Sequence, residues 1–291
     1  MDFSHLAKGI VSRNQAEWAR FRNLAIPYLA VLKTRFFWRI KPPQRPHRLP
    51  GELVVSLTSY PGRFRTLGLT LRCLLSQTIR ADRLILWVSN TDASLLPSDV
   101  LRLQRYGLEV RLTGDIGPYK KIIPALLAFP NAFVVTADDD VFYERVWLES
   151  LVKGWDGRMN QVVCHRAHCI TTDDRGHPRP YNQWVFDTKE PQESIALVPT
   201  GCRGVLYPPG SLAPNVTDQK EFLRLCPNAD DLWLFWMGRR AGASYKLVNI
   251  QQPLVVWPGS QHVALFLDNF YLGGNDKAIR NLGAEFGYPK L

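Results

Sequence analysis

Three consecutive aspartates, Asp138, Asp139 and Asp140, close the apolar run in FVVTADDDVFY. Carboxylates packed this densely repel one another unless a cation compensates them. Hard divalent ions such as Mg2+ and Mn2+ take oxygen ligands and keep waters and substrate phosphates in their shell, so Asp-x-Asp at a strand end suits a metal and a diphosphate together. Asp139 alone has a plainer use, as a cap for the helix expected near Glu144. A second acidic pair, Asp230 and Asp231 in NADDLWLFW, falls in the first turn of an expected helix with Asn228 as its cap, where carboxylates also serve simply to complement the helix dipole. The glycine-rich TGCRGVLYPPGSL offers close backbone approach at Gly201 and Gly204, or an ordinary turn before an extended Tyr-Pro-Pro segment. In CHRAHC, the residues Cys164, His165, His168 and Cys169 are all zinc-ligand types. Adjacent Cys-His pairs point to opposite faces of a strand, so the spacing argues for a structural strand instead.

These groups need a frame. The apolar runs Leu53 to Leu57, Leu84 to Val88, Val110 to Leu112 and Phe133 to Thr136 read as strands, with helices expected over Leu67 to Ser76 and Lys120 to Ala128. Strand–helix alternation implies an α/β fold with right-handed crossovers and a mostly parallel central sheet. Such sheets bind ligands beyond the carboxyl ends of their strands, where the aspartate trio sits. A chain of 291 residues has room for one large α/β domain, expected over residues 51–291. Ahead of it, residues 3–38 read as a helix interrupted by Pro27, and KPPQRPHRLPG (Lys41 to Gly51) as a linker without helix or strand.

The charge is unevenly spread. Of a net +10, residues 1–50 hold +8, from ten basic side chains against two acidic ones, which leaves the body nearly neutral. A nearly neutral body that concentrates its chemistry in aspartates does not fit nucleic-acid binding, and no nucleic-acid partner is expected. The basic N-terminal segment interleaves Trp18, Phe21, Tyr28, Phe36, Phe37 and Trp38 with Lys and Arg. That mixture suits an anionic membrane surface, contacted through residues 1–48; the alternative is a helix packed on the domain with a solvated basic face. The longest apolar stretch near the start, Leu24 to Leu32, is about nine residues, against roughly 20 needed to span a bilayer. No signal-peptide pattern is visible, and five irregularly spaced cysteines leave one unpaired in any full disulfide scheme. The expectation is a cytoplasmic protein, peripheral on the inner face of the membrane.

Taken in order, VVSLTSYPGRF, QTIRADRLILWV, DIGPYKKIIPAL, FVVTADDDVFY, GCRGVLYPPGSL and NADDLWLFW resemble bacterial GT-A glycosyltransferases related to the inverting family-two class. The resemblance runs from about Leu53 to beyond Trp236. It implies the GT-A fold, a nucleotide-sugar donor, a carbohydrate or lipid-linked acceptor in surface-polysaccharide or lipopolysaccharide assembly, and a divalent metal, Mn2+ or Mg2+. It implies that Asp138 faces the donor ribose and, with Asp140, holds the metal that bridges the phosphates. Thr58, Ser59, Tyr60 and Arg63 would wall the nucleotide, Lys121 (or its neighbour Lys120) would meet phosphate, Asp139 would share the donor site, and Gly204 would lie beside the transferred sugar. His262 in SQHVALF would be a third metal ligand; Tyr181 and Trp184 in RPYNQW are candidates to stack on a sugar face, with core burial the plainer role for Trp184. Asp231, with Asp230 as the substitute, would be the general base. Two other readings stand beside it. One is a catalytically silent GT-A module that binds carbohydrate. The other is a phosphatase of the haloacid dehalogenase type, which expects Thr or Val where Phe142 stands.

Overall fold

The computed structural model describes residues 25–40, 42–188, 192–248, 254–260 and 273–291. Twelve strands run through these residues: β1 (Arg45–Pro46), β2 (Leu53–Thr58), β3 (Ile79–Arg80), β4 (Arg83–Ser89), β5 (Leu108–Thr113), β6 (Phe133–Ala137), β7 (Gln161–Cys164), β8 (Ala167–Cys169), β9 (Gln192–Ser194), β10 (Leu197–Pro199), β11 (Val205–Tyr207) and β12 (Ser244–Leu247). The α-helices are α1 (25–40), α2 (Phe64–Leu74), α3 (Ser98–Leu101), α4 (Ile123–Ala128), α5 (Trp147–Gly154), α6 (Gln219–Leu225), α7 (Asp230–Arg240) and α8 (Gly274–Phe286).

The architecture is α/β around an eight-stranded, largely parallel sheet of order β5-β4-β2-β6-β11-β7-β12-β9. Strands β2, β4, β5 and β6 are mutually parallel, whereas β11 runs antiparallel to both β6 and β7. From β2 the chain winds outward through β4 to β5, then returns to add β6 on the other side. Strand order therefore reverses between β2 and β6, and the crevice beyond their carboxyl ends is where such sheets take ligands. The strands that flank it are buried on both faces, which is why they read as continuous apolar runs. Leu53, Val55 and Leu57 pack with Leu67 and Leu71 of α2 and Leu148 and Leu151 of α5, while Val54 joins Ala125 of α4 on the opposite face. Helices α6, α7 and α8 cover the sheet's second half through Phe222, Trp233, Phe235, Ile279 and Leu282.

Several expected elements differ. Residues 25–40 are helical, Pro27 included, so the proline does not interrupt the helix within the described residues. The Pro-rich linker is tied down. Within it β1 pairs in parallel with β3, Gln44 donates to the Gln77 carbonyl, and Arg45 makes two bonds to Glu149 of α5. The helix expected over Lys120 to Ala128 is split into a 3-10 turn (Gly117–Lys121) and α4, because Pro124 at the start of α4 has no N–H to continue the turn before it. Helix α7 begins at Asp230 with Ala229 in the cap position and no side-chain cap, so Asn228 does not cap it. CHRAHC spans the end of β7 and β8.

Candidate active site

The loops after β2 and β6 meet through charge. Ser59 donates its hydroxyl to Asp139, and Arg63 reaches Asp139 and Asp140 at 2.9 Å each while its guanidinium lies 5.6 Å from the Tyr60 ring centre. Lys121 lies 3.1 Å from Asp138 and 3.0 Å from Asp230, which joins the trio to the first turn of α7. Among the described residues, the ion pairs around these loops bring two side-chain cations, Arg63 and Lys121, to as many as five carboxylates. That surplus of negative charge is what the sequence led one to expect a metal to relieve. Here Arg63 and Lys121 relieve part of it.

Each of these groups is held by its neighbours. The Tyr143 hydroxyl accepts from the Asp138 amide at 2.8 Å, and the Thr70 hydroxyl donates to the Asp139 carbonyl at 2.8 Å. Trp257, more than a hundred residues on, donates from its indole to Thr70 and from its amide to the Asp140 carbonyl. On the other side, Ser56 donates to the Lys121 carbonyl at 2.6 Å and accepts from the Trp87 indole. These bonds fix backbone, so the carboxylates face one another with little freedom to separate. Of the trio, the Asp138 side chain is 25% exposed against 6% for Asp139 and 7% for Asp140. Asp138 is therefore the member most open to a ligand.

The electrostatics follow from burial. Asp139 is raised above the usual carboxylate range by burial, against the pull of Arg63 and Ser59. Burial works against the charge on Lys121, yet Asp138, then Asp230 and Asp231, hold its pKa well above an ordinary lysine's. Asp231 is pushed up to about 7, first by desolvation and then by the adjacent Asp230 charge, with Lys121 and a hydrogen bond from the Gly201 amide pulling the other way. That amide bond is 3.0 Å long. Asp231 as a residue keeps an intermediate exposure, while its carboxylate is strongly desolvated. A carboxylate tuned close to neutral pH can accept a proton during a reaction and lose it again afterwards.

No family model matches the chain, and no curated protein does. Among solved structures it is similar to S. aureus TarS 1–349 in complex with UDP, with 16% identity over 82% of this chain and 67% of that one and a TM-score of 0.49. A second structure of S. aureus TarS 1–349 matches at 14% identity, over 81% and 72% of the two chains, with a TM-score of 0.45. Glucosyl-3-phosphoglycerate synthase from Mycobacterium tuberculosis, with Mn2+, UDP and phosphoglyceric acid, matches at 17% identity over 40% of this chain and 43% of that one, with a TM-score of 0.30. Likeness at this level carries no argument about activity. The site has to carry it.

The expected site residues are gathered unevenly. Arg63, Lys121, Asp138, Asp139, Asp140, Asp230 and Asp231 form one connected network, with Tyr60 against its edge. Thr58 stands at the end of β2 with its hydroxyl donating to the Trp87 carbonyl, so its proton is committed to the neighbouring strand. Lys120, the alternative to Lys121, does not join this network: its side chain is 6% exposed and pairs with Asp115. Gly204 has φ +94°, and a Cβ there would lie 2.4 Å from the Trp147 ring, so packing accounts for this glycine. Gly201 is the one against the cluster, where a Cβ would come within 2.8 Å of Lys121 Nζ. Tyr181 packs with Trp184, Phe186 and His168, and Trp184 is in the core. His262 lies outside the described residues.

Tyr143 and Trp257 were not legible as parts of the site. Tyr143 could have been found, since it sits in the same motif three residues after Asp140. Trp257 could not, because nothing in the sequence near it points to the trio. In the zinc-like segment, His165 bonds Ser150 and the Val248 carbonyl, and His168 accepts from the Asp187 amide. Burial lowers their pKa values to about 4 and about 3, so both are neutral structural groups.

Among the described residues a divalent ion would meet oxygen donors alone, from Asp138 and Asp140, the chemistry Mg2+ and Mn2+ prefer. Among the described residues no group of three or more potential ligand side chains is assembled. The donors therefore fit an ion that draws the rest of its shell from water and phosphate, and do not form a complete protein cage.

Proposed function

We propose that the chain is a GT-A glycosyltransferase that moves a sugar from a nucleoside-diphosphate donor to an acceptor hydroxyl with inversion. The observation that carries the reading is the Lys121 bridge: it joins Asp138, at the switch point of the sheet, to Asp230 of α7, next to the perturbed Asp231. Donor and base then lie on two sides of one lysine. Asp138 meets the donor's ribose, Tyr60 and Arg63 wall the nucleotide, and Lys121 offers a point charge to phosphate. A divalent ion at Asp138 and Asp140, with His262 as a further ligand, supplies Lewis-acid neutralisation of the leaving diphosphate when bound.

A diphosphate entering a cluster with surplus carboxylates meets repulsion, which supports a requirement for that cation. Asp231 takes the proton of the acceptor hydroxyl as its oxygen attacks the anomeric carbon from the face opposite the diphosphate. Lys121 attracts the Asp231 carboxylate, and the Gly201 amide holds one of its oxygens. Direct displacement inverts the anomeric centre. The acceptor is a carbohydrate or lipid-linked saccharide in bacterial surface-polysaccharide assembly, reached by a protein peripheral to the inner face of the cytoplasmic membrane.

Calorimetric titration of nucleoside diphosphates, beginning with UDP, with and without Mn2+, on the wild type and Asp140→Ala tests this directly. Metal-dependent binding of one nucleotide, lost in the variant, is the expected result. No binding under either condition would remove the proposal.

A further inference from the structure

Helix α1 has two faces of opposite use. Its inner face holds it to the body: Ala30 is buried, Thr34 bonds the Cys73 thiol, Lys33 reaches Glu144 at 2.6 Å, and Phe37 lies under Arg145. Trp38 packs edge-on against Tyr106. Its outer face shows the reverse of the usual pattern. Tyr28, Leu29, Leu32, Phe36 and Ile40 are each between 52% and 63% exposed. At 3.6 residues per turn, positions 28, 32, 36 and 40 form one near-axial row with Leu29 beside it, and the exposed Arg35 and Arg39 flank that row. A contiguous apolar strip on a surface helix marks something that covers it.

We infer that this outer face of α1 docks on an anionic lipid bilayer, lying in the headgroup region. Apolar and aromatic side chains on one face with arginines along its border are what an interfacial helix presents. Among the described residues no helix is long and apolar enough to cross a membrane, so the contact is one of lying on the surface. Charge decides between occupants. A second copy of the chain would bring the same arginine-flanked face against itself, and residues 1–24 carry four basic side chains against two acidic ones, the same sign again. Anionic lipid carries the opposite sign, and the positive charge of the chain is concentrated in this region.

The inner face gives the docking a consequence. Lys33 and Phe37 contact Glu144 and Arg145, and Lys33 lies 5.6 Å from the Phe142 ring centre; Phe142, Glu144 and Arg145 belong to the segment that leaves the aspartate trio. A bilayer held against α1 is therefore held beside the loop that leaves the candidate active site. This deepens the reading of a lipid-linked acceptor and rests on it only for that consequence; the docking itself stands on α1.

Vesicle co-sedimentation of the full chain tests it, with phosphatidylcholine vesicles compared with phosphatidylcholine–phosphatidylglycerol vesicles. The expected result is binding to the anionic vesicles only, weakened by salt, and lowered by about 10-fold or more in both Leu32→Ser/Phe36→Ser and Arg35→Glu/Arg39→Glu. Because these side chains are exposed, the variants should melt as the wild type does, and nucleotide binding in them separates a failed docking surface from a failed catalytic reading. Equal binding by wild type and variants would overturn the assignment. So would no binding to either vesicle, and a wild-type dimer that Phe36→Ser dissolves would give the face to a second copy.

Discussion

The aspartate trio after β6 and the aspartate pair opening α7 are both acidic clusters, yet the fold treats them differently. Asp139 and Asp140 are each paired to Arg63, and the trio's backbone is tied through Tyr143, Thr70 and Trp257. The pair shares Lys121 with Asp138, and Asp231 is left with a pKa pushed up to about 7. Acidic density alone does not define a role. Two carboxylates paired to one guanidinium, with their backbone tied down, are placed to hold something, whereas the carboxylate pushed up to about 7 by burial and a like neighbour is placed to exchange a proton.

That contrast is broken most strongly at Asp231. Asp231→Asn keeps the shape and an acceptor for the Gly201 amide but removes the base, so transfer should fall by about 10²–10⁴-fold, measured as nucleoside diphosphate released from the nucleotide sugar that binds. Removing the shared cation strikes both clusters at once. Lys121→Met leaves Asp138 and Asp230 facing each other unpaired, and chemical denaturation should show a loss of about 3–5 kcal/mol. Gly204→Ala is the control that touches neither cluster's charge. Its Cβ would meet Trp147 in a left-handed backbone position, costing roughly 1–3 kcal/mol in denaturant melts while nucleotide affinity at low temperature stays unchanged.

The smallest effect sharpens the comparison through pH. The Asp231 pKa is raised from an unfolded value of 3.8, so folding favours its protonated form. Its unfavourable contribution is absent below the unfolded value, grows as pH rises, and is complete above about 7. Asp231→Asn should therefore have a higher Tm than the wild type at about pH 8, with the gap closing toward about pH 4. Transfer by the wild type should rise as pH passes through about 7, the range in which the base loses its proton.

The parallel half of the sheet was legible in the sequence and the rest was not, for a physical reason. Strands β2, β4 and β6 are buried on both faces, so each reads as an unbroken apolar run with a helix between runs. Strands β8 to β11 are three residues each, too short for any periodicity to register. The Pro-rich segment was expected to be a linker because composition marks chain stiffness but not the partner strand, Ile79–Arg80, that captures it. The trio could be singled out from type and position, and Asp231 only through the family resemblance. Arg63 was expected to serve the nucleotide; that it also bridges two of the aspartates depends on the turn after β2, which no motif records. Lys120 and Lys121 are adjacent and alike in sequence, and only the 3-10 turn that carries them sends one to Asp115 and the other into the cluster.

The division of labour is tested most directly by measuring nucleotide affinity and turnover together in Asp231→Asn. The account predicts that UDP, or whichever nucleoside diphosphate binds the wild type with Mn2+, binds the variant within about two-fold by calorimetry while its release from the nucleotide sugar falls by the about 10²–10⁴-fold given above. Turnover that persists would contradict the assignment of the base. Turnover and affinity lost together, in a variant that still melts cooperatively, would place Asp231 in the donor site and end the distinction between the two clusters.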